Sequence, residues 1–149
     1  MSVPAQKREL SNTQFLWELR QFNIRLGEIC LNTPKKYRVN YTDFIIRTGL
    51  EALQYAQRAN NIYLSKHTTE ESFNERELCL QRAKGLAENI ATTADIFLEH
   101  MRKFDGINVE KILKQEQYIG ETVNTIVSLL DGVMKSDKKR YKEYKKDSI

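Results

Sequence analysis

The chain has 149 residues, one domain's length, and its 40% apolar content excludes a disordered polymer. Two prolines and six glycines are few for an all-β protein with many turns, and no apolar run approaches the ~20 residues of a membrane span. The net charge is +4, and the last fifteen residues hold all of it: seven basic side chains stand there against three acidic, and the rest of the chain is neutral in sum.

A nucleic-acid coat over the whole body is therefore not supported, whereas a basic C-terminal segment is. Met1–Arg8 contains no apolar h-region, so no secretion signal is visible. Two cysteines, Cys30 and Cys79, are too few for a disulfide scaffold, and a reduced, cytoplasmic protein is expected.

Four segments carry helical periodicity. The first opens with the capping-box pair Ser11 and Gln14, flanked by Leu10 and Phe15. Its stripe, Phe15, Leu19, Phe22, Leu26 and Ile29, ends near Asn32 before Pro34. The second opens at Asn40, with Val39 and Phe44 as a staple, and carries two adjacent stripes. One is Tyr41, Ile45, Thr48, Ala52, Tyr55, Ala59 and Ile62; the other is Ile46, Leu50, Leu53, Ala56 and Leu64. The third follows a polar loop and opens with Thr68 and Glu71, again a capping-box pattern. Its stripe runs from Cys79 through Ala83, Leu86, Ile90, Thr93 and Phe97 to Met101, and Gly106 suits a left-handed terminus. The fourth opens at Asn108, with Ile107 and Ile112 as the staple, and runs through Val109, Ile119, Val123, Ile126, Leu130 and Val133. An extension of the same period into the basic segment is expected where Tyr141 and Tyr144 sit three apart.

The pattern predicts an all-α protein: an antiparallel up-down four-helix bundle over 11–135, a flexible N-terminus at 1–10 and a basic C-terminal tail at 136–149. Gly27, Gly49, Gly85, Gly120 and Gly132 fall inside helices, where each costs about 1 kcal/mol against alanine. With the alanines at 52, 56, 59, 83, 87, 91 and 94, they predict close backbone approach between the second and third helices, or packing against another subunit.

The chemistry of an enzyme is hard to find. His67 and His100 have no cysteine or carboxylate at metal-ligand spacing, no phosphate loop is present, and residues 97–100 read Phe-Leu-Glu-His rather than the Glu-x-x-His of a di-iron bundle. Cys30 and Cys79 read as plain buried thiols. No catalytic residue, metal site or cofactor is expected.

Three basic features remain. Lys35, Lys36 and Arg38 flank Tyr37 in the first loop; these are either a solvated connection or phosphate contacts. Arg47, Arg58, Arg76 and Arg82 lie along the helices among acids, as solvated faces or salt bridges, unless oligomerisation gathers one row about an axis. In the tail, Lys138, Lys139, Arg140 and Lys142 belong to a set that is either solvated or serves as a nucleic-acid arm or a contact for an acidic partner. A membrane surface is disfavoured, because the tail lacks a large apolar face.

Thr33-Pro34-Lys35-Lys36-Tyr37-Arg38, the run from Phe44 to Ala56, and Val123–Lys135 followed by basic residues resemble the accessory variability determinant (Avd) proteins of diversity-generating retroelements. Related four-helix-bundle proteins encoded in intervening sequences of bacterial ribosomal RNA genes share the topology. The resemblance covers roughly 13–140. It implies a non-enzymatic accessory factor that assembles as a barrel-like homopentamer and presents basic surface to a reverse transcriptase and its RNA or DNA during error-prone cDNA synthesis. It also implies that Lys35, Lys36, Arg38 and Arg47 form the contact surface.

Overall fold

A computed structural model describes residues 13–147, and among these the secondary structure is wholly helical. Four α-helices carry the chain: α1 (Gln14–Leu31), α2 (Asp43–Asn60), α3 (Glu70–Asp105) and α4 (Val109–Asp147). Residues 1–10 and the Ser11 cap lie outside the described residues. No described helix is long and apolar enough to cross a membrane.

The helices form a four-helix bundle because each buries an apolar face against two others; on α2 the second stripe is part of that face, with Ala56 buried, Ile46 and Leu53 packed against the core and Leu50 exposed. Contacts join α1 to α2, α2 to α3, α3 to α4 and α4 back to α1. All five stripe residues of α1 are buried, and α4 contributes Ile112, Ile119, Val123, Ile126, Leu130 and Met134 to the same core. The most extensive helix pair is α2 with α3, where small residues meet. Ala52, Ala56 and Ala59 on one side and Ala83 and Ala87 on the other have no exposed surface, which lets the two backbones approach closely.

The glycines do not share that role. Only Gly49 sits against a neighbour: a Cβ there would stand 2.6 Å from Asn23 Oδ1, on α1 rather than α3. Asn23 Nδ2 donates to the Gly49 carbonyl at 2.9 Å and the Leu19 carbonyl at 2.8 Å, so its side chain occupies the space the missing Cβ leaves. The other four helical glycines have nothing within 4 Å of a Cβ position.

Start signals shift at two places. Before α2 the chain winds through a 3-10 turn, Lys35–Tyr37, and a π turn, Arg38–Thr42. The wider π turn rotates the register, so Val39 points to solvent, Phe44 is partly exposed, and Tyr37 takes the inward position in place of the expected staple. At α3 the cap is Thr69, whose Oγ1 accepts from the Ser72 amide at 3.1 Å. Thr68 instead closes the preceding turn: its Oγ1 accepts from the Ser65 amide and donates to the Tyr63 carbonyl. The end of α3 and the start of α4 follow expectation, whereas α1 has Thr13 at its N-cap position with no side-chain cap. Gly106 ends α3 with φ of +59°, and Asn108 Oδ1 accepts from the Glu110 amide at the start of α4.

The basic C-terminal segment is not set apart from the bundle. α4 passes through residue 135 without a break and continues to Asp147. Tyr141 stacks on Phe73 of α3, with ring centroids 4.2 Å apart and planes 8° from parallel. The end of the basic helix is thus held against its neighbour.

Candidate nucleic-acid interface

Lys35, Lys36, Arg38, Arg47, Lys138, Lys139, Arg140 and Lys142 all have exposed side chains. They fall into two groups at opposite ends of α3. Lys36 pairs with Asp105, the last residue of α3, whereas Asp137, next to Lys138, pairs with Arg76 near its start. Roughly 30 residues of helix lie between, about 45 Å at ~1.5 Å per residue.

The first group stands on the connection between α1 and α2. The turn that carries it is tied to α3 by two contacts on one carboxylate: Lys36 Nζ pairs with Asp105, and the Tyr37 hydroxyl donates to it. These partners hold the Asp105 carboxyl below its ordinary range, and burial together with Asp105 pushes the Tyr37 hydroxyl up to about 12. Below the turn, Tyr37, Tyr41, Phe97, His100 and Phe104 form a continuous series of ring contacts with centroids 5.4 to 6.3 Å apart. Lys35 and Arg38 make no ion pair among the described residues. Arg47 Nε donates back to the Asp43 carbonyl of its own helix at 3.4 Å.

The second group stands on the last turns of α4, above a buried charge cluster. Asp137 is only 1% exposed. Arg76 meets it with two hydrogen bonds, Nε to Oδ2 at 2.7 Å and Nη2 to Oδ1 at 3.2 Å. The third guanidinium nitrogen, Nη1, donates to the carbonyls of Ala59 and Ile62, both at 3.0 Å. One arginine therefore binds two carbonyls at the C-terminal end of α2 and fixes α3 to α4. Glu77 lies beside this pair, with both carboxyl oxygens buried and reached by no donor. Burial and the neighbouring Asp137 carboxylate push the Glu77 carboxyl up to about 8, so at neutral pH it holds a proton that it can donate to Asp137. A cleft of about 600 Å³ opens beside the cluster, bordered by Asn60, Tyr63, Arg76, Asp137 and Arg140.

Of the two readings expected for the helix arginines, Arg76 takes the salt bridge, as a part-buried anchor paired with Asp137 rather than with an acid of its own helix. Arg58 and Arg82 both lie over the Tyr55 ring, each 5.4 Å from the centroid, and Arg47 lies apart from them near the start of α2. Cys30 and Cys79 are both buried and reduced, and burial, with Asp43 nearby, pushes the Cys30 thiol up to about 11. His100 packs between Tyr41 and Phe104. Among the described residues, no cluster of three or more histidine, cysteine or carboxylate side chains is placed to hold a metal ion.

Arg76, Glu77 and Asp137 were not expected as a unit. The signal for two of them is present: Arg76 precedes Leu80, Ala83 and Ala87 at the 4-3-4 spacing of the buried stripe, and Asp137 follows Leu130 and Met134 in the same way.

No protein-family profile, curated protein or solved structure matches the chain.

Proposed function

We propose that this chain is a non-catalytic accessory protein of a diversity-generating retroelement, which binds a reverse transcriptase and RNA or DNA through its basic surfaces and supports mutagenic cDNA synthesis in the cytoplasm. One observation carries the nucleic-acid part. Lys138, Lys139, Arg140 and Lys142 are exposed along a helix end that Asp137 and Tyr141 hold in place, so the cations are displayed by a rigid element rather than a loose arm. Lysine and arginine in such an array neutralise phosphates without reading sequence. The retroelement context rests on the resemblance of the first loop, α2 and α4 to Avd proteins.

The same reading includes an antiparallel up-down topology and a ring-shaped homopentamer. The topology is supported by the ends that meet: the start of α3 reaches the end of α2 through Arg76, and the end of α3 reaches the turn before α2 through Asp105. Assembly is supported by Trp17, Ile24 and Leu31, which recur every seven residues along α1 with 52%, 45% and 84% of their surface exposed. Five copies about one axis would repeat each basic group fivefold and raise the local field.

Titration of labelled RNA at about 50 and 200 mM salt tests the binding. Affinity that falls steeply with salt supports the proposal, whereas absent or salt-insensitive binding overturns it. The exposed apolar row on α1 favours one alternative, an interaction bundle with no nucleic-acid role. In that case charge reversal at Lys35, Lys36 and Arg38 leaves partner binding intact, and loss of function with normal folding rejects it.

A further inference from the structure

We propose, on the basis of the nucleic-acid reading above, that the corner where the α1–α2 connection meets the end of α3 binds single-stranded nucleic acid, with Phe104 as a stacking platform for an unpaired base and Lys35, Arg38 and Lys103 as its phosphate contacts. Phe104 is 74% exposed although it belongs to the penultimate position of a 36-residue helix. Its ring is nonetheless held in place: it packs T-shaped on His100 at 5.8 Å, and His100 is fixed in turn by its hydrogen bond to Tyr41. Gly106 then turns the chain away with a left-handed φ, which leaves the ring at the rim of the bundle.

The cations gather there through tertiary structure. Lys36 and Asp105 are 69 residues apart in sequence, yet their ion pair brings the Lys35–Arg38 turn to the last turn of α3, which also carries Lys103 and Phe104. Lys35, Lys36, Arg38, Arg102 and Lys103 stand on the two elements that meet at this corner with Glu99 and Asp105, and Glu116 of α4 faces Arg102 and Glu99. Glu99 pairs with Arg102 and Asp105 with Lys36, and Lys35, Arg38 and Lys103 have no ion-pair partner among the described residues. A held, exposed ring, with unpaired cations on the two elements that meet beside it, matches the chemistry of a single strand, which offers both phosphates and open base faces. A duplex buries its base faces in its own stack and can use only the cations.

The test measures fluorescence anisotropy of the full chain with a labelled oligouridine of about 12 nucleotides and an RNA duplex of the same length, at about 50 and 200 mM salt. The wild type is expected to prefer the single strand. Phe104→Ala should weaken single-strand binding roughly 5- to 100-fold, leave the salt slope unchanged and leave duplex binding nearly intact, while Phe104→Trp retains affinity. Lys35→Gln with Arg38→Gln should weaken both ligands and flatten the salt slope. If Phe104→Ala binds the single strand like wild type, or weakens both ligands equally, the platform is overturned while salt-dependent binding keeps the broader reading. If wild type binds neither RNA at low salt, both fall. If Phe104→Ala alters the mass measured by light scattering with RNA affinity unchanged, the ring is a contact between copies and the proposal fails.

Discussion

Three side chains, Arg76, Glu77 and Asp137, show how a charge can be structural inside a segment whose composition reads as solvated. Removing one partner of a buried, doubly hydrogen-bonded ion pair leaves the other uncompensated, so Asp137→Ala combined with Glu77→Gln should destabilise the chain by about 3–5 kcal/mol in chemical denaturation, whereas Asp137→Ala alone should cost less, because Glu77 can then ionise beside Arg76. Glu77 makes a prediction of opposite sign. The folded chain holds its proton up to about pH 8, whereas an ordinary glutamate releases it near pH 4.5. Between those values the folded state binds more protons than the unfolded state, so the Glu77 contribution to stability is lost as pH rises through that window. Glu77→Gln should therefore match wild type near pH 4.5 and exceed it increasingly toward pH 8, as read from urea midpoints across that range. The burial of Arg76 and Asp137 was legible in principle, since both continue a 4-3 apolar spacing. Composition obscured it, because an aspartate among six lysines and an arginine reads as one more solvated charge. Glu77 lies one residue beyond that spacing and becomes visible only when α4 is in place.

At the level of elements, periodicity gave the four helices because burial of an apolar face is what holds each of them. It did not give the π turn before α2 or the shift from Thr68 to Thr69, since local hydrogen bonds decide both within one residue. Nor could spacing tell the glycines apart. Gly49 is matched to Asn23, so Gly49→Ala should give no gain in stability, as displacing that side chain cancels the helix propensity. Gly85→Ala, with open space around it, should gain about 0.5–1 kcal/mol in the same denaturation assay. For α4 the expectation concerns truncation. Deleting 136–149 removes Asp137 and Tyr141 and should lower the melting temperature of the whole bundle. Replacing Lys138, Lys139 and Lys142 by glutamine removes charge but leaves those anchors, and should leave the melting temperature nearly unchanged.

For the molecule as a whole, the net charge of +4 understates how charge is displayed, because cations stand at both ends of the bundle over a body that is neutral in sum. The homopentamer proposal makes a direct prediction: light scattering at micromolar concentration should return five times the chain mass, and Trp17→Lys with Leu31→Lys should reduce it. What the sequence could not supply was the separation between the two basic groups, which are distant in sequence and also distant in space. That separation acts as a ruler. At roughly 3.4 Å per base pair, about 45 Å corresponds to some 13 base pairs, so a ligand shorter than this can engage only one end of a given subunit. Plotted against ligand length, affinity should therefore rise in a step rather than smoothly, and the length at the step measures the footprint of one subunit.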